Sequence, residues 1–250
     1  MIVIKSEHEL EIMREAAKVT AYILDELLPE VIKPGMTTAA IDRIVEAEIR
    51  KNHQEPAFKG YGGFPASICA SVNETIVHGI PSHRKIVEGD IISVDTGTIY
   101  KGYYSDAART YPVGEISEEA EKLIRVTRES FFKGIENAKV GCRLGDISHA
   151  VQTHAESNGF SVVKDFVGHG IGTDMHEDPP VPNYGPAGRG PRLRAGMTLA
   201  IEPMVNQGTD KCVVLEDEWT TVTVDGKLSA HYENTIIITE GEPEILTMLK

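Results

Sequence analysis

Thiols are scarce in this 250-residue chain, whose three cysteines, Cys69, Cys142 and Cys212, are odd in number and far apart. No CxxC pair occurs, so there is no sign of a disulfide framework, and a reducing compartment is expected. Positive charge is also short, with 25 Lys and Arg against 38 Asp and Glu and a formal net charge of −13. An acidic surface lacks the basic patches that neutralise phosphate, which argues against nonspecific or direct sequence-specific nucleic-acid binding. Long apolar runs are missing, and nothing approaches the ~20 residues that span a bilayer. The opening MIVIKSEHELEIM turns to charge after four residues, unlike the apolar core of a signal peptide. A cytoplasmic protein without membrane association is expected.

What remains is ordinary globular composition, 41% hydrophobic and 25% charged, enough for one domain over 1–250. The acidity has a second potential source, carboxylates collected inward to hold cations. Ser6 with Glu9 predicts a capping box, and Leu10, Met13, Ala17, Thr20, Leu24 and Leu27 then recur at helical spacing. Pro34-Gly35 stops that helix, and TTAAIDRIVEAEIRKN predicts a second with Ile41, Ile44, Val45 and Ile49 inward. SEEAEKLIRVTRESFFKGIENAKVG and GDISHAVQTHAESNG predict another pair.

The two pairs belong to an internal repeat. KPGMTTAAIDRIV (33–45) aligns without gaps to KVGCRLGDISHAV (139–151), sharing Lys, Gly, Ile and Val. VHGI (77–80) matches GHGI (168–171), and EGDIISVD (88–95) matches AGMTLAIE (195–202). Asp106 stands eight residues before Gly114-Glu115, as Glu233 stands eight before Gly241-Glu242. Four matches in one order point to two related halves, roughly 1–115 and 116–250.

DIISVDTGTIYKGYYSDAARTYPV predicts a hairpin turning near Lys101-Gly102. That register sets Asp95 opposite Ala108 and makes Asp106 its diagonal neighbour on the same face, roughly 7–8 Å away. TTVTVDGKLSAHYENTIIIT predicts a second hairpin, turned by Asp225-Gly226 and carrying Glu233 on its outgoing strand. Helix pairs alternating with antiparallel hairpins indicate an α+β fold.

Asp95, Asp106, Glu202 and Glu233 thus fall in strand-like, otherwise apolar stretches, together with His169. Single carboxylates there could simply face solvent, but their apolar neighbours and the repeat argue for an inward cluster. Clustered carboxylates repel unless a proton is shared or cations intervene. One imidazole with four carboxylates suits Mn, Fe, Co or Zn, and four charges exceed what one divalent ion needs. Two close metals sharing an activated hydroxide are the economical reading. A glycosidase pair would need only two carboxylates and no histidine. GHGIGT lacks a Walker lysine, and HEDPP lacks the second histidine of a zincin helix. GPAGRGPRLRAG is expected to be a surface loop, and His8, His53, His83, His149 and His154 are expected at the surface.

Asp95, Asp106, His169, Glu202 and Glu233, in that order, resemble the five metal ligands of the pita-bread metallopeptidases. The strings VDTG, YYSDAART, GHGIG, AIEPM and HYENTI are similar to type I methionine aminopeptidases within that family, and the resemblance covers nearly the whole chain. It implies a pita-bread (creatinase/aminopeptidase) fold, two pseudo-symmetric halves with antiparallel β-sheets and flanking helix pairs. It implies two divalent ions per subunit, drawn from Co, Mn, Fe, Zn or Ni. Asp95 would chelate one, His169 and Glu202 the other, and Asp106 and Glu233 both. Glu202 would shuttle the proton, while His78 and His176 would contact the scissile amide and stabilise the tetrahedral intermediate. Phe58, Tyr61, Phe64, Cys69, Met175 and Trp219 would line the methionine pocket, where rings and sulfur suit a thioether. Phe58, Phe64 and Met175 depart from the best-known bacterial pattern, which has cysteine, tyrosine and phenylalanine there. Asn73, Thr75 and Ser229 resemble a monovalent-cation site for Na or K.

The implied activity is removal of initiator methionine from nascent polypeptides when the second residue is small and uncharged, by metal-activated hydroxide attack. The implied setting is the cytoplasm near the ribosome exit, after peptide deformylase in bacteria, as a monomer. Short spacings from His176 to Glu202 and from Glu202 to Glu233 fit type I, with no long insertion. A prolidase would carry an extra N-terminal domain, and a metal-free binding module would have lost ligands that this chain keeps.

Overall fold

A computed structural model describes residues 1–249. The first helix, α1 (Glu7–Tyr22), opens on the expected capping box, in which the Ser6 N–H donates to Glu9 Oε2 at 2.7 Å. Leu10, Met13, Ala17 and Thr20 face the core. A π-turn over Ile23–Leu27 then leads into α2 (Leu28–Val31). It fully buries Leu28 and leaves the expected Leu27 only partly covered. Helix α3 (Thr38–Lys51), capped by Thr37 Oγ1 on the Ala40 N–H at 3.2 Å, buries Ile41, Val45 and Ile49. Helices α4 (Glu118–Ile135) and α5 (Leu144–Ser157) form the second pair, and three glutamates in the first turn of α4 complement its dipole.

The strands in chain order are β1 (Glu55–Pro56), β2 (Ile68–Val72), β3 (Thr75–Val77), β4 (Ile91–Tyr100), β5 (Tyr103–Pro112), β6 (Ser161–Val162), β7 (Gly168–Gly170) and β8 (Glu177–Val181). They continue with β9 (Thr198–Ile201), β10 (Met204–Asn206), β11 (Cys212–Val214), β12 (Thr221–Thr223), β13 (Ser229–His231), β14 (Glu233–Ile237) and β15 (Glu244–Ile245). The main sheet runs β1-β4-β5-β14-β9-β7-β8, with β2 also on β4 and β15 on β14, and its pairs are antiparallel. Its centre, β4-β5-β14-β9, is symmetric about the β5–β14 seam, where a hairpin from the first half of the repeat meets strands from the second.

The β4–β5 hairpin has the expected register, with Asp95 opposite Ala108, and Lys101 and Gly102 both take positive φ at its tip. The second expected hairpin does not form. β12 pairs with β11 and β3, whereas β13 pairs with β10. Between them the Asp225 carboxylate accepts from the backbone N–H of Thr209 and Lys227, and only Gly226 takes positive φ. The turn is therefore tied to a different strand connection, and the chain crosses from one small sheet to another.

The two faces of the main sheet have different jobs. Ile92, Val94 and Ala107 pack under α1 to α3, while Leu199, Ile201 and Ile236 pack with Phe131 of α4 and Ile147 of α5. Strand alternation therefore turns Asp95, Asp106, Ala108, Ala200 and Glu233 to the opposite face. On the helix-covered face the buried Arg109 spans the seam. Its guanidinium donates to the Glu233 carbonyl at 2.6 Å, Asn234 Oδ1 at 2.9 Å, the Thr247 carbonyl at 2.9 Å and Asp25 Oδ1 at 3.0 Å.

Replacing Arg109 by methionine strands those acceptors, and it is expected to lower unfolding free energy by about 3 kcal/mol in urea denaturation of the metal-free protein. Lysine, with a point charge in place of a fork, should recover only part of the loss. Equal urea midpoints for wild type and Arg109→Met would contradict this account of the seam.

Candidate active site

The sheet register assembles the cluster. Asp95 on β4 pairs with Ala108 on β5, and Ala108 pairs with Glu233 on β14. Asn234 pairs with Ile201 on β9, so extending that register sets Glu202 opposite Glu233. His169 on β7 pairs with Ala200, two residues before Glu202 on the same face. Asp106, two residues before Ala108, completes the group. Alanines at 108 and 200 keep the floor low, which lets the longer side chains converge above it.

Asp95 and Asp106 are diagonal neighbours on one face of the β4–β5 hairpin. Burial raises Asp95 to about 7, and burial followed by mutual repulsion pushes Asp106, Glu202 and Glu233 well above the usual carboxylate range. Asp95 Oδ1, Asp106 Oδ1 and Glu233 Oε1 are buried with no hydrogen-bond partner. Atoms of Asp106, His169 and Glu233 lie within 4.8 Å of one another, as metal ligands do. His169 Nδ1 is 2.8 Å from its own strand's Gly170 carbonyl, which leaves Nε2 bare toward Asp106 at 3.8 Å and Glu202 at 3.6 Å. Burial drops His169 to about 4, so the imidazole is neutral and cannot balance the carboxylates. Four carboxyl groups, orphaned oxygens and a bare imidazole nitrogen fit two divalent cations.

Beside the cluster lies a cavity of about 160 Å³ lined by all of the expected pocket residues: Phe58, Tyr61, Phe64, Cys69, Met175 and Trp219, with His78 and His176. Phe64 meets Trp219 edge to face at 5.1 Å. Tyr61 Oη lies 2.7 Å from His176 Nδ1 at the open rim. His78 is held between Phe166 and Trp219, and burial lowers it to about 4. His176 is also lowered by desolvation. Neither ring belongs to a candidate ligand group among the described residues. Gly168 and Gly170 are required by neighbouring strands rather than by the cluster, since a Cβ on either would strike the Ala200 or Asp178 carbonyl.

Two of the expected monovalent-cation residues, Asn73 and Ser229, are joined backbone to backbone. Asn73 accepts the Ser229 N–H on its carbonyl at 2.9 Å, but its side chain is spent on Asp90 and Ile91. The arginine loop and His8, His53, His83 and His149 are exposed as expected, while His154 is half-buried against Glu129. One neighbour lies outside the expected set: His231, 2% exposed, has Nε2 3.8 Å from Glu202 and 3.7 Å from Glu233. The spacing of two from Glu233 is the one local signal that could have found it.

The Metallopeptidase family M24 model matches residues 11–240. The chain is 59% identical over 249 residues to a methionine aminopeptidase of Clostridium acetobutylicum, covering 99% of each. It is 55% identical to methionine aminopeptidase 1 of Bacillus subtilis, again over 99% of each. A methionine aminopeptidase structure from Thermotoga maritima superposes with a TM-score of 0.97 at 52% identity, covering 100% of both chains. A Pyrococcus furiosus prolidase shares the fold at a TM-score of 0.78 and 24% identity, with 99% of this chain covering 66% of that one.

The loop that presents Met175 and His176 has its own anchor. Lys5 and Glu177 form an ion pair whose side chains are only 2% and 8% exposed, and the Lys5 N–H donates to the Gly196 carbonyl at 2.9 Å. Glu177 Oε1 in turn accepts from the Thr173 N–H at 2.9 Å and the Asp174 N–H at 3.4 Å. Lys5→Met would leave Glu177 buried and unpaired. Amide exchange at Thr173 and Asp174 is expected to quicken by about tenfold or more, with α4 amides unchanged. Unaltered exchange in the loop would refute the anchor.

Proposed function

Because this chain belongs to metallopeptidase family M24, we propose that it removes the initiator methionine from nascent polypeptides whose second residue is small and uncharged. Its fold is the pita-bread fold of methionine aminopeptidases and prolidases. The observation that carries this reading is the apolar pocket of Phe58, Phe64, Met175 and Trp219 opening directly onto the carboxylate–imidazole cluster. Thioether sulfur packs well against such rings and sulfurs.

Asp95 would hold one ion, His169 and Glu202 the other, and Asp106 and Glu233 both. The pair of divalent ions, from Co, Mn, Fe, Zn or Ni, would supply Lewis acidity and a water acidic enough to be a nucleophile near neutral pH. Glu202, at the partly exposed edge of the cluster, takes the proton of the attacking water and returns it to the leaving amine. Tyr61 donating to His176 Nδ1 leaves the His176 Nε2–H to donate toward the oxygen that gains charge in the tetrahedral intermediate. His78, neutral and wedged by Phe166 and Trp219, contacts the scissile amide from the other side. Burial keeps both imidazoles uncharged, so they act as donors without repelling the cations.

A sodium or potassium ion at Asn73, Thr75 and Ser229 would be held through backbone carbonyls, because the Asn73 side chain is committed elsewhere. The chain acts as one catalytic domain and a monomer, in the cytoplasm near the ribosome exit and after a deformylase in bacteria. No helix among the described residues is long and apolar enough to cross a membrane, which is compatible with that setting.

Protein supplied with Mn, Fe or Co is expected to release methionine from Met-Ala-Ser, but not from Met-Lys-Ser, and to leave Xaa-Pro peptides intact. Exhaustive chelation should abolish turnover; activity that survives it would sink the metal reading. His169→Ala should lose tight metal binding, whereas His176→Ala should keep its metals and lose about 10²- to 10³-fold in kcat. Equal metal loss in both variants would disprove the division between them.

A further inference from the structure

His231 ends β13 one residue before β14 begins, and its backbone is clamped on both sides by one side chain. Its N–H donates to Thr110 Oγ1 at 2.9 Å, and that hydroxyl donates to its carbonyl at 2.9 Å. The ring is thereby aimed under the carboxylate cluster, where Nε2 is buried and has no hydrogen-bond partner. Native interiors rarely leave such a nitrogen bare. Its surroundings match those of His169. His169 Nε2 stands 3.6 Å from Glu202 Oε1, and His231 Nε2 stands 3.8 Å from Glu202 Oε2, so each oxygen of one carboxylate faces an imidazole. Ligand atoms of Asp106, His169 and Glu233 lie within 4.8 Å of one another, and so do those of Asp95, His231 and Glu233. These are two triads of one aspartate and one imidazole, sharing Glu233.

We propose that His231 is a further protein ligand of the metal centre, giving a nitrogen to the ion held by Asp95 and Glu233. The proposal rests on the two-metal reading of the cluster. Without His231 the Asp95 position is carboxylate only, a hard site. With it both positions carry oxygen and nitrogen donors, which raises affinity for Co, Ni and Zn relative to Mn.

Cobalt(II) titration of the metal-free protein tests this, followed by calorimetry and by visible absorption, which reports the geometry and donors of the bound ion. Wild type should take up two equivalents. His231→Gln should keep one site and weaken the other by more than about a hundredfold, beyond the roughly tenfold to hundredfold that an outer-sphere partner is worth. The absorption of the weakened site should change with it. His169→Gln should impair the opposite site. His231→Cys supplies a positive signature, a sulfur-to-cobalt charge-transfer band absent from wild type, and it covers the case in which the glutamine variant folds poorly. Two unchanged affinities in His231→Gln, a loss of affinity without spectral change, or a cysteine variant lacking the band would each overturn ligation by His231 while leaving the two-metal reading intact. A wild type that binds no cobalt would take down both.

Discussion

Four carboxylates crowd one face of the central sheet, and their mutual repulsion is the condition around which the molecule is built. Burial alone would drive them to hold protons, as their raised titration shows. The imidazoles that touch them are neutral, so they offer no counter-charge. No lysine or arginine side chain makes an ion pair with the four among the described residues. The one buried arginine nearby, Arg109, lies under the sheet and spends its fork on carbonyls, Asn234 and Asp25. A cluster arranged in this way is complete only with cations, so metal binding and the stability of the site are coupled.

Holding the groups together against that repulsion is a task for the strands. Each carboxylate is carried on a backbone fixed by neighbouring strands, and the β5–β14 seam brings the two halves of the repeat into one hydrogen-bonded ladder. Thr235 Oγ1 reinforces it by accepting the Asp106 N–H at 3.2 Å and donating to the Asp106 carbonyl at 2.8 Å. Glu202 lies just past the end of β9, where Asn183 Nδ2 donates to its carbonyl at 3.0 Å. The helix pairs fill the opposite face with apolar side chains and so keep the sheet rigid without entering the site.

What was legible in the sequence was whatever local chemistry settles. The capping box of Ser6 and Glu9 and the β4–β5 register are short-range, and both are present as expected. Repeat matching added the pairing of Asp95 with Glu202 and of Asp106 with Glu233. The failures arise where tertiary pairing overrides a local preference. Asp225-Gly226 is a sound turn dipeptide, yet the strands on either side of it join different sheets. His231 keeps the spacing of two from Glu233, but its approach to Glu202 depends on the pairing of β13 with β10, which nothing local indicates. Lys5 and Glu177 are 172 residues apart, and nothing local to either indicates the other.

The two copies of HGI show how a repeated string acquires two uses. At His169 the chain is extended within β7, so the ring stands straight off the sheet among the carboxylates. At His78 the backbone has left β3 and takes φ 59°, a left-handed conformation that costs a non-glycine residue about 1–3 kcal/mol. The following glycine cannot be replaced cheaply, because a Cβ on Gly79 would strike the Ala70 carbonyl of β2. The His78 ring there stands edge-on to Phe166 and Trp219. Backbone strain at one residue therefore separates an imidazole set among carboxylates from an imidazole set among aromatic rings. The identity of the side chain does not.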